Sequence, residues 1–240
     1  MASPPDAYEA TYNTQAVVLR SPRERMAAYD HELLETGAYA DIEVVCGNRT
    51  WHVHRAILCM RCPWFDHKLG PYVSKPSEKT TIQLKESVEH VEWLMGFIYT
   101  GVCHPPQLEE EEFFFTTCIA LYDLGAKFSL VELVDHALAL LETHCSRQVT
   151  VFHDMARSSP RGFVDHEYLH GLLAGLEIAY KHELHRRRVR RILVDFIYLS
   201  QTWFLNSQPF LDYLHKRPKF GMDLLCKRTI LIRPGGDFAA

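Results

Sequence analysis

Apolar and polar positions alternate with a period of two in a few short early stretches of this chain, and with a helical period almost everywhere else. A period of two puts successive side chains on opposite faces of a strand, whereas apolar residues three and four apart share one face of a helix. Ser21-Pro22 pairs a capping residue with a proline suited to the first helical position. Met26, Tyr29, Leu33 and Leu34 then repeat at helical spacing, and Gly37 is the terminator. Asp41-Ile42-Glu43-Val44-Val45-Cys46 is alternating and β-branched and predicts a strand. Gly47-Asn48 supplies the positive-φ positions of a tight hairpin, and Thr50-Trp51-His52-Val53 is the return strand.

Ala56-Ile57-Leu58 predicts a short helix, and Cys62-Pro63-Trp64-Phe65 starts another that Gly70-Pro71 stops. The Ser, Lys, Pro and Glu cluster at positions 74 to 79 reads as a solvated loop. Thr80 to Leu84 gives a third strand, and Val88, Val91, Leu94, Met95 and Ile98 trace one helical face. Beyond Pro105-Pro106 every periodic stretch is helical. One helix is led by Glu109 to Glu112, acids that favour a helix N-terminus, and a second is expected from about Leu130 to His144. Three or four more helices follow from about residue 163, broken at Ser207-Gln208-Pro209 and Arg217-Pro218. Few strands, all early, and many helices define an α+β fold with helices packed on one small sheet. The expected organisation is a disordered arm at 1–21 carrying Pro4 and Pro5, an α+β domain at 22–146, and an all-helical extension at 147–240.

Composition narrows the function classes. Twenty-six Lys and Arg against 30 Asp and Glu give a net charge of −4, so no basic field exists over the whole chain to neutralise phosphates, and nucleic acid is not an expected partner. The N-terminus lacks the charged and apolar regions of a secretory signal, and no apolar run approaches the roughly 20 residues that span a bilayer. Seven cysteines without framework spacing fit reduced thiols, giving an expected location in cytoplasm or nucleus.

Several blocks together resemble one family. Tyr39-Ala40-Asp41-Ile42-Glu43-Val44-Val45 followed by His52-Val53-His54-Arg55-Ala56-Ile57-Leu58 resembles the BTB/POZ signature, an Asp-hydrophobic strand before a Phe-x-x-His-Lys/Arg-x-x-Leu segment. Arg61-Cys62-Pro63-Trp64-Phe65, Thr81-Ile82-Gln83-Leu84, Leu94 to Gly101 and Leu121 to Leu133 are similar to the blocks that follow in that family, in the same order. The helical remainder resembles the extensions on single-BTB proteins of filamentous fungi.

The resemblance implies a non-catalytic scaffold or adaptor whose BTB domain forms a homodimer and recruits other proteins. It also implies a charged dimer-interface pocket lined by an Asp and an Arg, matched here by Asp41 and Arg55. Such a pair is expected to be buried, so that loss of either partner hurts folding more than loss of both. Two alternatives attach to the same resemblance: a substrate adaptor for a cullin-type ubiquitin ligase, and a nuclear regulator. Cullin-binding members often carry a hydrophobic-x-Glu element where this chain has Leu69-Gly70-Pro71-Tyr72, which lacks the Glu; Leu69 and Tyr72 are the partner-binding candidates there.

The remaining candidate chemistry is sparse. His52-x-His54 and Cys59-x-x-Cys62 offer zinc-type donors, but packing is the favoured reading, with His54 a buried, hydrogen-bonded histidine. No nucleophile elbow or phosphate loop is present, so neither enzyme activity nor a cofactor is expected. The run His185 to Arg191 is a candidate localisation or acidic-partner segment through Arg186, Arg187 and Arg188, against a solvated helix face that pairs with nearby acids. The helix bearing Met26, Tyr29 and Leu33 has no evident local cover and is the expected dimer element. Phe113 to Phe115 and Trp203-Phe204 are expected in the core.

Overall fold

The computed structural model describes residues 21–70, 80–158, 165–181 and 185–232, without the side chains of 22–24, 156–158 and 228–232. Residues 1–20 of the expected arm at 1–21, the 74–79 loop and Tyr72 lie outside the described residues. In order, the elements are α1 (Pro22–Thr36), β1 (Ile42–Cys46), β2 (Arg49–Val53), α2 (Arg55–Arg61), α3 (Pro63–Leu69), β3 (Thr80–Leu84), α4 (Val88–Thr100), a 3-10 turn (Pro106–Glu109), α5 (Glu111–Lys127) and α6 (Val131–Ser158). Five more helices follow among the described residues: α7 (His166–Lys181), α8 (Arg187–Leu199), α9 (Gln201–Phe204), α10 (Gln208–Lys216) and α11 (Pro218–Ile232). The α+β fold is the one expected from the sequence.

The strands stand in the order β2-β1-β3. β1 pairs antiparallel with β2, Ile42 opposite Val53, and parallel with β3, Ile42 opposite Thr80. The alternation works as a face selector: Ile42, Val44, Cys46, Trp51, Val53, Ile82 and Leu84 are all buried. α4 buries Val91, Leu94, Met95 and Ile98 in the same core. Its ends are set locally, Ser87 accepting from the His90 N–H at 3.2 Å and Gly101 closing the helix at φ +72°. In the hairpin only Gly47 takes positive φ, at +57°; Asn48 does not. A two-residue turn with positive φ at its first central position alone needs one glycine, which corrects the expectation of two such positions.

α1 is not left without cover. It lies on α4 and β2 of its own chain, with Leu33 and Leu34 turned against the core. Gly37 ends it at φ +62°, and a Cβ built there would stand 2.8 Å from the His52 Cβ, so the chain passes β2 more closely than any side chain permits. Met26 and Tyr29 stay 62% and 60% exposed.

α6 runs for 28 residues without a break, past the expected end at His144 and through position 146, where the domain boundary was expected. Its later turns pack on α8, and α7 packs on α5. The second contact depends on two glycines. A Cβ at Gly171 would lie 2.6 Å from the carbonyl oxygens of Glu111 and Glu112, and one at Gly175 would lie 2.6 Å from the Phe115 Cβ. Glycines four apart share one helix face, so α7 lies with bare backbone against α5.

Aromatic rings continue the core into the C-terminal helices. Phe115 meets Tyr168 at 5.6 Å between centroids, Phe196 meets Phe204 at 5.6 Å, Phe204 meets Phe210 at 5.4 Å and Phe210 meets Phe220 at 6.1 Å. Phe114, Phe115, Trp203 and Phe204 are buried as expected, whereas Phe113 is 43% exposed. His144 sits among these rings, stacked on Phe114 at 3.9 Å, with no partner for its Nε2 among the described residues. Burial first, and the Arg147 charge second, lower its pKa to about 4.

Two outcomes follow from this packing. Gly175→Ala forces Phe115 to move and is expected to cost about 1–3 kcal/mol, read as a fall in urea midpoint. His144 binds its proton more weakly folded than unfolded, so its contribution is intact above pH 6.5 and is lost as pH falls toward 4. Unfolding is expected to lose about 2 kcal/mol between pH 7.5 and pH 5, a slope that His144→Phe removes.

Candidate protein interaction surface

His54 precedes α2 and offers that helix no side-chain cap. The cap comes from another element: Asp41 Oδ1 accepts the backbone N–H of Arg55 at 2.7 Å. The Arg55 guanidinium runs away from Asp41, donating to the Leu69 carbonyl at 3.2 Å and to Thr80 Oγ1 at 3.0 Å, and so ties the end of α3 to β3. Asp41 is exposed and Arg55 half-buried. The expected buried pair of side chains is therefore corrected within the single chain: one residue caps a helix and the other staples a strand. Leu69 is 1% exposed, so its side chain belongs to the core and is not presented to a partner.

His54 is fully satisfied. Its Nε2 donates to the Ala38 carbonyl at 2.6 Å, leaving Nδ1 to accept from the Tyr99 hydroxyl at 2.8 Å. The same hydroxyl accepts the His54 backbone N–H at 2.9 Å. Burial pushes the Tyr99 phenol up to about 12, keeping it a donor. The zinc-type donors face separate partners: His52 is exposed beside Glu43, and the Cys62 thiol points at the Phe128 carbonyl at 3.4 Å. Among the described residues no three metal-ligating side chains gather. Burial also raises Cys103 and Cys118 to about 12, far from the thiolate that nucleophilic chemistry requires.

The arginine run divides by role. Arg186 has its side chain only 12% exposed and grips Asp123 of α5 with two nitrogens, Nε at 2.9 Å and Nη2 at 2.6 Å, while Nη1 donates to the Ile178 carbonyl at 2.6 Å. Tyr122 adds a hydrogen bond to the His185 carbonyl at 2.6 Å. Arg188 pairs with Asp135 at 3.1 Å and Arg190 lies over the Tyr180 ring. Arg186 is thus an internal brace between α5 and the start of α8, a correction to its reading as a partner contact. Arg187 and Arg191 are exposed.

A cleft rimmed by apolar side chains also faces outward. α1, α2 and α4 enclose an open cleft of about 520 Å³ bounded by Met26, Ala27, Met60, Phe97 and Thr100, with the Asp30–Arg61 ion pair at 2.7 Å across it. Arg61 Nη1 also donates to the Ile98 and Tyr99 carbonyls, at 3.2 and 2.5 Å, which fixes α2 to α4. Met60 is 85% exposed. Sequence reading missed it. The signal was the buried Leu58 two positions earlier, which turns Met60 to the opposite face of α2. Exposed methionine and tyrosine side chains around a cleft suit a surface that another protein covers, because thioether chains adapt to a partner's shape.

The fold is a small three-stranded sheet with helices packed on it, and an open cleft with exposed methionines on its rim lies between α1, α2 and α4. Residues 31–144 match the family model of the BTB/POZ domain, and the small sheet with packed helices is the fold of that domain. Modules of this family are generally interaction modules rather than enzymes; they generally self-associate and bind other proteins. Among solved structures, the BTB (Tramtrack and Bric a brac) domain of human gigaxonin matches at 17% identity and a TM-score of 0.38, covering 51% of this chain and 95% of that one. No curated protein matches the chain. Among the described residues, no helix is long and apolar enough to cross a membrane.

Because Asp41 acts as a cap and not as half of a buried ion pair, Asp41→Ala is expected to cost about 1 kcal/mol in urea unfolding and Asp41→Asn less. A loss of several kcal/mol would instead return the residue to a buried-pair role.

Proposed function

We propose that this protein is a scaffold that forms a homodimer through the face built by α1 and α2 and recruits other proteins to that assembly. The observation that carries the reading is the exposure of Met26 and Met60 on the α1–α2–α4 cleft, with Tyr29 exposed on the same helix as Met26. Three large apolar side chains left in water gain free energy when a matching copy covers them, because the apolar area buried offsets the rotamer entropy they lose. A two-fold contact places each patch on its own equivalent, and that self-complementarity is met by residues that bury against one another. Asp30 and Arg61 stay paired within each chain and supply the polar margin of the face.

The cullin-adaptor alternative rests on the family likeness alone, and Leu69, buried in this chain, offers it no contact. A nuclear role through the arginine run would rest on Arg187 and Arg191, since Arg186, Arg188 and Arg190 have intramolecular roles.

Sedimentation of the full chain tests the dimer. A dimer is expected at micromolar concentration, and Met60→Glu should convert it to a monomer with unfolding stability changed by less than about 0.5 kcal/mol, as befits an exposed side chain. A wild-type chain that stays monomeric at high concentration overturns the proposal.

A further inference from the structure

Two thioethers flank the opening of the α1–α2–α4 cleft. Met26 and Met60, 62% and 85% exposed, are the two most exposed methionines among the described residues. Met222 and Met155 follow at 58% and 45%, on α11 and α6 away from the cleft, and Met95 is buried in the core. A thioether is oxidised to the sulfoxide where an oxidant reaches the sulfur, which turns a flexible apolar side chain into a polar one.

The cleft has no place for the oxygen so added. A sulfoxide oxygen is a hydrogen-bond acceptor, and the polar groups lining the cleft are acceptors themselves or donors already engaged. Asp30 and Glu132 are carboxylates. Arg61 is the only cation among the lining residues, and both its Nη atoms are in use, Nη1 on the Ile98 and Tyr99 carbonyls and Nη2 on Asp30. The Thr100 hydroxyl donates to the Gly96 carbonyl at 2.8 Å, and the Tyr99 hydroxyl to His54. On an uncovered face water hydrates the sulfoxide. A second copy laid over the face removes that water, and a two-fold contact brings the same set of engaged donors in its place.

We propose that oxidation of Met60 and Met26 to the sulfoxide holds the chain as a monomer, which makes the α1–α2 face a reversible, hydroperoxide-sensitive dimer switch. The switch rests on the dimer reading of that face. In the step, the thioether sulfur attacks one oxygen of a hydroperoxide and gives up two electrons. An S=O bond forms and the O–O bond breaks, with a proton passing to the leaving oxygen, which departs as water or an alcohol. Reversal takes a methionine sulfoxide reductase and two thiols, which end as a disulfide while the oxygen leaves as water. The dimer covers both sulfurs, so the free chain is the form that reacts, and each oxidation draws on the association equilibrium. A polar group covered without a partner weakens binding about tenfold, and two-fold symmetry counts it twice, so Met60 alone accounts for about a hundredfold.

Sedimentation of the full chain before and after hydrogen peroxide, with mass mapping of each methionine, tests the switch. The dimer dissociation constant is expected to rise about a hundredfold as Met26 and Met60 oxidise. Methionine sulfoxide reductase with dithiothreitol should restore the dimer, and dithiothreitol alone should not. Oxidation of Met26 and Met60 should slow as protein concentration rises, while Met155 and Met222 react at one rate throughout. The Met26→Leu/Met60→Leu chain should stay dimeric under peroxide, and the Met155→Leu/Met222→Leu chain should still dissociate. A dimer that persists once Met26 and Met60 carry oxygen overturns the switch and leaves the dimer reading standing. Equal dissociation of the Met26→Leu/Met60→Leu chain does the same, whereas a chain that is monomeric before peroxide overturns both.

Discussion

The close approach of α7 to α5 is the contact on which the rest of the architecture depends. Gly171 and Gly175 leave no space for a Cβ between the helices, and so bring Tyr168, Leu172 and Leu176 into the same core as Phe115. Two glycines in a helix interior cost roughly 1 kcal/mol each in propensity, a cost that only tight packing returns. Once α7 is flush, Arg186 reaches Asp123, α8 settles on α6, and the aromatic rings from Phe115 to Phe220 connect. The C-terminal helices are thus an outward growth of the domain's own core.

That growth leaves the chain with two kinds of polar device. Asp41, Arg55, His54, Tyr99 and Arg61 join secondary elements whose backbones do not pair, each through a hydrogen bond to a main-chain group. Arg186 with Asp123 and Tyr122 with His185 do the same between the sheet-bearing part and the helices beyond it. Several charged side chains therefore serve as internal ties, while exposed methionines rim the cleft between α1, α2 and α4.

Much of this fold was legible in the residues. Alternation gave the three strands and their inward faces because one face of the sheet is buried, and a one-residue slip would turn Val44 and Ile82 to water. Gly37 and Gly101 marked helix ends because only glycine takes those dihedrals at no cost. The site was less legible. The resemblance put Asp41 and Arg55 in one pocket but carried no information on which atoms meet, and the carboxylate went to a backbone N–H. The arginine run looked like a surface because its acceptor, Asp123, lies 63 residues away. The continuity of α6 was hidden because a polar stretch near residue 146 resembles a helix end when nothing shows that α8 will cover the next turn.

A helix of 28 residues is a rod of about 42 Å. α6 starts in the sheet-bearing domain and ends under α8, with core contacts along its length, so it behaves as a ruler. The α1–α2–α4 cleft and the helices under which α6 ends therefore keep a fixed distance and angle. A ligand that touched both ends would gain strength only where its own spacing matched that span, so discrimination would reside in length as well as in chemistry.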